Sequence, residues 1–229
     1  MLKYGANNIG KIFLGSNEIG KAFLGSNLVF QKDGGGQPQP TVNYLISGSP
    51  TIANGIMSLT GQAARNFIYT NESFAPGSAD FTIQTSVRYN SFISYRDVLA
   101  SVNADGSRLY SIALQGIVSS GSFSNRLYLS SNGTSWNKMN GALRVGTGVT
   151  GEWRDIKVER ASNVFRVYIR ARGGEWAYNG QSTVTGITFN SPIAFGGGFA
   201  NGEIDGDIDL AETKIYIGGS LWWEAITNE

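Results

Sequence analysis

The chain has 229 residues, a net charge of +1, and neither cysteine nor histidine. Those absences exclude disulfides, thiolate nucleophiles, Ser-His-Asp and Cys-His catalysis, and zinc held by Cys or His. The near-zero charge gives no field toward nucleic acid or an anionic membrane, and 31 glycines with only 15% charged residues predict many short strands joined by tight turns.

The first 32 residues hold a repeat with a ten-residue period. Ile9-Gly10-Lys11, Phe13-Leu14 and Gly15-Ser16-Asn17 recur as Ile19-Gly20-Lys21, Phe23-Leu24 and Gly25-Ser26-Asn27, and Tyr4-Gly5-Ala6-Asn7 is a worn third copy. Gly and Asn tolerate positive φ, so each Gly-x-Asn reads as a turn between apolar runs of strand length. The expectation is a three-stranded ribbon with large apolar side chains on both faces. A ribbon of about 30 residues cannot bury both faces by itself. Ile9, Ile12, Phe13, Leu14, Ile19, Phe23 and Leu24 are therefore expected to anchor the chain or join copies of it, with a homotrimer preferred. The N-terminus "MLKYGANNIG" lacks the apolar core of a secretory signal. No apolar run reaches the ~18 residues of a membrane-spanning helix.

Residues 33–40, "DGGGQPQP", read as a linker, because three glycines and two prolines cannot hold a core. Residues 41–229 form the main domain. Within "DFTIQTSVRY" the alternation turns Phe81, Ile83, Thr85, Val87 and Tyr89 inward. "RLYSIALQG" and "NRLYLSSNG" are similar runs that end in turn residues. Strands over Arg154–Arg160 and Val164–Ala171 flank a tight turn at Ala161-Ser162-Asn163. "FGGGF" (Phe195–Phe199) lacks the Lys-Ser/Thr of a phosphate loop and reads as a bent strand. "DIDLAETKIYIGGSLWW" supplies the closing strands. No amphipathic helix of normal length occurs, so the pattern predicts an all-β sandwich or barrel.

The stretch "TGEWRDIKVERASNVFRVYIRARGGEW" resembles the centre of laminin-G-like domains of the concanavalin A-like lectin/glucanase group. Gly151 and Trp153 stand at its start and Tyr168 on its second strand. "DFTIQTSVR" resembles an early strand of that group, and "GEIDGDIDLAETKIYIGG" its terminal strand. The resemblance covers roughly residues 41–223 and implies a jelly-roll sandwich of two antiparallel sheets. "IGKIFLGSNEIGKAFLGSNLVF" resembles short segments at the start of bacteriophage virion proteins, where they precede adhesin-like domains.

Three readings compete for "EIDGDID", whose Glu203, Asp205, Asp207 and Asp209 alternate onto one strand face. Resemblance to the glucanases implies glycoside hydrolysis centred on Glu203 and Asp207. An Asp in place of the acid Glu is one methylene short, and the stretch lies nearer the C-terminus than the catalytic strand of that group, so no catalysis is expected. A calcium site would draw on Asn201, Glu203, Asp205 and Asp207, since hard cations take clustered oxygens. The third reading is a solvated strand edge whose charges deter pairing, with Arg154, Lys157, Arg166, Arg170 and Arg172 as basic neighbours. Among the aromatics, Trp136, Trp176 and Tyr178 sit in turn-rich stretches beside Asn and are the candidate glycan-binding residues. Trp153, Trp222 and Trp223 are expected in the core.

The sequence thus leads to a non-enzymatic phage virion subunit (tail fibre, head fibre or decoration protein). It would be made in the bacterial cytoplasm and assembled with other virion proteins through residues 1–32. Its lectin-like domain would face cell-surface polysaccharide, with no nucleic-acid or membrane partner. A glucanase-like hydrolase and a purely structural particle protein are the alternatives.

Overall fold

The structure is a computed structural model that describes residues 44–60, 66–91, 95–119, 122–197 and 207–226, together with the backbone of six short strands near the N-terminus. The chain divides into two compact units, Met1–Val42 and Asn43–Glu229.

In the first unit β1 (Lys3–Tyr4) pairs with β2 (Asn7–Asn8), β3 (Ile12–Leu14) with β4 (Asn17–Ile19), and β5 (Lys21–Leu24) with β6 (Asn27–Gln31), all antiparallel. Among the described residues these are three two-stranded ribbons rather than the expected single three-stranded one. The repeated unit is a hairpin. The runs that read as single strands are divided: β2 ends at Asn8 and β3 begins at Ile12, and β4 ends at Ile19 before β5 begins at Lys21. Ile12 and Ile19 are cross-strand partners, as are Phe23 and Leu28.

The second unit contains β7 (Tyr44–Ser47), β8 (Thr51–Ala53), β9 (Ile56–Leu59), β10 (Phe67–Thr70), β11 (Phe81–Tyr89), β12 (Tyr95–Val102), β13 (Arg108–Ser119), β14 (Ser122–Gly133), β15 (Met139–Val149), β16 (Trp153–Ala161), β17 (Val164–Ala171), β18 (Ala177–Thr183), β19 (Ile193–Phe195), β20 (Ile208–Ile217) and β21 (Ser220–Ala225). They form two antiparallel sheets. One has the order β15-β14-β13-β12-β19-β10-β7, and the other β18-β17-β16-β11-β20-β9-β8 with β21 on β20. The described residues of this unit contain strands and turns and no helix, as the turn-rich composition predicts.

The alternation read from the sequence places the core. Phe81, Ile83, Thr85, Val87 and Tyr89 of β11 are all buried, and Ile156, Val158, Phe165 and Val167 of β16 and β17 join them. The other sheet contributes Leu99, Ile112, Leu114, Phe123, Leu127 and Leu129 to the same cluster. Phe74 meets Phe81 edge-on, with ring centroids 5.0 Å apart at 85°, a favourable arrangement of ring quadrupoles. The β16–β17 turn needs only Ser162 and Asn163, and Ser162 takes φ 55°. Tyr89 crosses the core to the facing sheet, where its O–H donates to Asn125 Oδ1 at 2.6 Å. Gly116 leaves room for it: a Cβ there would lie 1.8 Å from the Tyr89 hydroxyl. In "FGGGF" β19 ends at Phe195 and Gly196 turns the chain at φ 89°, so the stretch supplies a strand end. Gly198 and Phe199 lie outside the described residues.

Candidate functional site

Because β11, β16, β17 and β20 give alternate residues to the core, the others share the opposite face of their sheet. Register then fixes which residues stand beside one another. Tyr178, Tyr168, Lys157, Gln84, Lys214 and Glu224 form one row across β18, β17, β16, β11, β20 and β21. The next row runs Arg170, Asp155, Ser86 and Ala211. Between them opens a small pocket of about 40 Å³ lined by Gln84, Thr85, Ser86, Asp155, Arg170, Trp176, Glu212 and Lys214.

Asp155 organises one wall. It is 5% exposed; Oδ1 accepts from Ser86 Oγ at 2.6 Å, and Oδ2 accepts from Arg170 Nε at 2.7 Å and the Gly173 N–H at 3.3 Å. Arg170, fixed in this way, stacks on Trp176 with its Cζ 4.2 Å from the ring centroid, and Lys157 Nζ lies 5.0 Å from the same ring. Lys157 also sits 4.2 Å from the ring centroid of Tyr168, which meets Tyr178 edge-on at 5.7 Å. Cations over ring faces are attracted by the aromatic quadrupole, so these side chains hold each other in place. Tyr178 is 56% exposed. Burial and a hydrogen bond with Glu159 raise the Tyr168 phenol above its ordinary value, so it is a neutral hydroxyl at physiological pH.

Most of the charge on this face is paired. Arg170 pairs with Asp155, Arg88 with Asp209 at 2.5 Å, Lys157 with Glu159 at 2.7 Å, Arg172 with Glu212 at 2.7 Å, and Lys214 with Glu224 at 4.0 Å. Burial pushes the Asp209 carboxyl up, yet hydrogen bonds from Asn90, Ser58 and Arg88 together hold it below the usual carboxylate value. Asp209 is therefore ionised at neutral pH and unsuited to act as an acid there.

At Asp209 the expected solvated edge of "EIDGDID" is corrected. Asp209 is 4% exposed and lies on β20, which pairs with both β11 and β9. Its basic partner is Arg88, which was not among the expected neighbours. Asp207 precedes β20, with its N–H donating to Ser91 Oγ at 3.1 Å. Asn201, Glu203 and Asp205 lie outside the described residues. Among the described residues no group of three or more carboxylates could hold a metal.

Trp176 and Tyr178 come together, but Trp136 does not join them. It packs against Tyr110 and Tyr128 of the seven-stranded sheet, with centroids at 4.8 and 5.5 Å. Of the expected core tryptophans, Trp223 is buried and stacked on Phe195 at 5.3 Å. Trp153 instead sits half-buried between Arg88 and Arg172, at 5.0 and 4.8 Å, because β16 gives its odd-numbered residues to the solvent face. Of the anchoring residues, Ile12, Phe13 and Leu14 lie on β3, Ile19 on β4, and Phe23 and Leu24 on β5, while Ile9 is outside the described residues. Sequence reasoning missed Tyr168, Lys157, Gln84 and Lys214. The first two were within reach, since a two-residue turn makes Lys157 and Tyr168 cross-strand partners.

This architecture is that of the concanavalin A-like lectin/glucanase fold. No family model matches the chain, and no curated protein matches it. Among solved structures it is similar to the exoplasmic/lumenal domain of VIP36 in a Ca2+/Man2-bound form, with TM-score 0.54 and 10% identity over 76% of this chain and 80% of that one. It is also similar to an alginate lyase from Alteromonas sp. 272, with TM-score 0.50 and 12% identity over 76% and 93%. A third is the binding domain of botulinum neurotoxin serotype D/C, with TM-score 0.50 and 14% identity over 79% of this chain and 44% of that one.

Proposed function

We propose that the second unit is a carbohydrate-binding, lectin-like module, and that the chain is a bacteriophage virion subunit presenting it to glycans on a host surface or in the environment. The observation that carries the glycan reading is a pocket lined by Trp176, Arg170 and Gln84 on a sheet face, beside which Lys157, Tyr168 and Tyr178 stand in one cross-strand row. Sugars bind such surfaces through C–H patches on aromatic rings and through hydroxyls that both donate to carboxylates and accept from cations and amides. The module acts by binding, without covalent chemistry. Lectin-like neighbours among the solved structures support the reading.

The virion part of the proposal rests on the N-terminal repeat, three hairpins in series in the first unit. A two-stranded hairpin is marginal alone and needs a covering surface. Sister copies in a homotrimer, or a socket on the particle, would supply it. Three shallow sites on one particle would then bind a repeating polysaccharide far more tightly than one.

The test is binding of the full chain to immobilised polysaccharides. Wild type is expected to be retained. Trp176→Ala and Tyr178→Ala are each expected to weaken retention about tenfold, roughly 1.4 kcal/mol, with unchanged melting. Equal retention of both variants and wild type would refute the site.

A further inference from the structure

We infer that the glycan bound on this face is uncharged; this rests on the carbohydrate-binding reading above. A site built for a uronate, sialate or sulfate needs surplus cations to replace the water those anions lose. The two cations that line the pocket, Arg170 and Lys214, each already face a carboxylate, and so does Arg88 elsewhere on the same face. Arg170 is bonded to Asp155, whose side chain is 7% exposed, and Arg88 to Asp209, whose side chain is 5% exposed. An anionic sugar that took Arg170 or Arg88 would leave a buried carboxylate without its cation, so the exchange gains nothing. Lys214, at 4.0 Å from Glu224, is the loosest of the pairs, yet its carboxylate still opposes a second negative charge.

A neutral sugar meets no such conflict. Paired guanidinium and carboxylate groups keep unused donors and acceptors, since Arg carries five N–H groups and a carboxylate about four lone-pair sites. Hydroxyls can use both kinds without breaking a pair. The Gln84 amide, whose Nε2 makes only a long 3.4 Å contact to the Tyr216 hydroxyl, offers a neutral donor and acceptor in the same pocket. The chain as a whole adds no field, with a net charge of +1.

The experiment is affinity electrophoresis of the full chain in soluble β-glucan, mannan and polygalacturonate at low and high salt. The expected result is retardation by a neutral polymer that changes less than about twofold with salt, because screening acts on net charge, and that Trp176→Ala weakens about tenfold. Tighter retardation by polygalacturonate, falling about tenfold or more at high salt, would overturn the inference while leaving the glycan reading intact. No retardation by any of the three would overturn both.

Discussion

Asp97 carries the largest single carboxylate anomaly among the described residues. It is fully buried on β12, where burial raises its carboxyl to about 7. The charges of Arg108 and Arg96 act against this rise, and the Gln115 amide approaches without closing a hydrogen bond of normal geometry. In the unfolded chain Asp97 ionises near 3.8, whereas the folded chain keeps the proton to about 7. The folded state thus binds more protons across that window, so stability falls as pH rises from about 4 to about 7 and then levels off. Asp209 has the opposite sign: its lowered value stabilises the fold above 3.8 and is lost on acidification. Asp97→Asn is expected to raise melting temperature at pH 8 and change it little at pH 4. Equal shifts at both would contradict the assignment. The sequence placed Asp209 on the right strand and face by alternation. It could not show burial or the Arg88 partner, because that contact spans 121 residues and depends on which strands become neighbours.

At the scale of elements, the sandwich was legible where local rules act alone. The alternation of β11 and the β16–β17 hairpin with its Ser162-Asn163 turn are fixed by residues that touch in sequence. Pairing order was not legible, so Trp136 and Trp176, alike in their turn-rich surroundings, could not be assigned to different sheets. The N-terminal repeat meets the same limit: its strands pair in twos, β1 with β2, β3 with β4 and β5 with β6, rather than as one three-stranded ribbon. Between the sheets Gly116 and Tyr89 form a close fit of a kind no sequence pattern announces. Gly116→Ala is expected to destabilise the fold by about 1–3 kcal/mol through overpacking against the Tyr89 ring, read from chemical denaturation. No loss of stability would mean that the strands give way there at little cost.

At the scale of the whole molecule, the proposed roles of the two units make separate predictions. Absolute mass in solution is expected to be that of a trimer for the full chain and of a monomer for a chain beginning at Thr41. A monomer in both would remove sister copies as the cover for the hairpins and leave a socket on the particle. The central claim concerns the sandwich itself: glycan is held on the face of the eight-stranded sheet. It is tested most directly by glycan affinity of Trp176→Ala beside Trp136→Ala, each checked for native melting. The account predicts an affinity loss of about tenfold for Trp176→Ala and none for Trp136→Ala. Loss for Trp136→Ala with Trp176→Ala unchanged would place the site on the opposite sheet and contradict it.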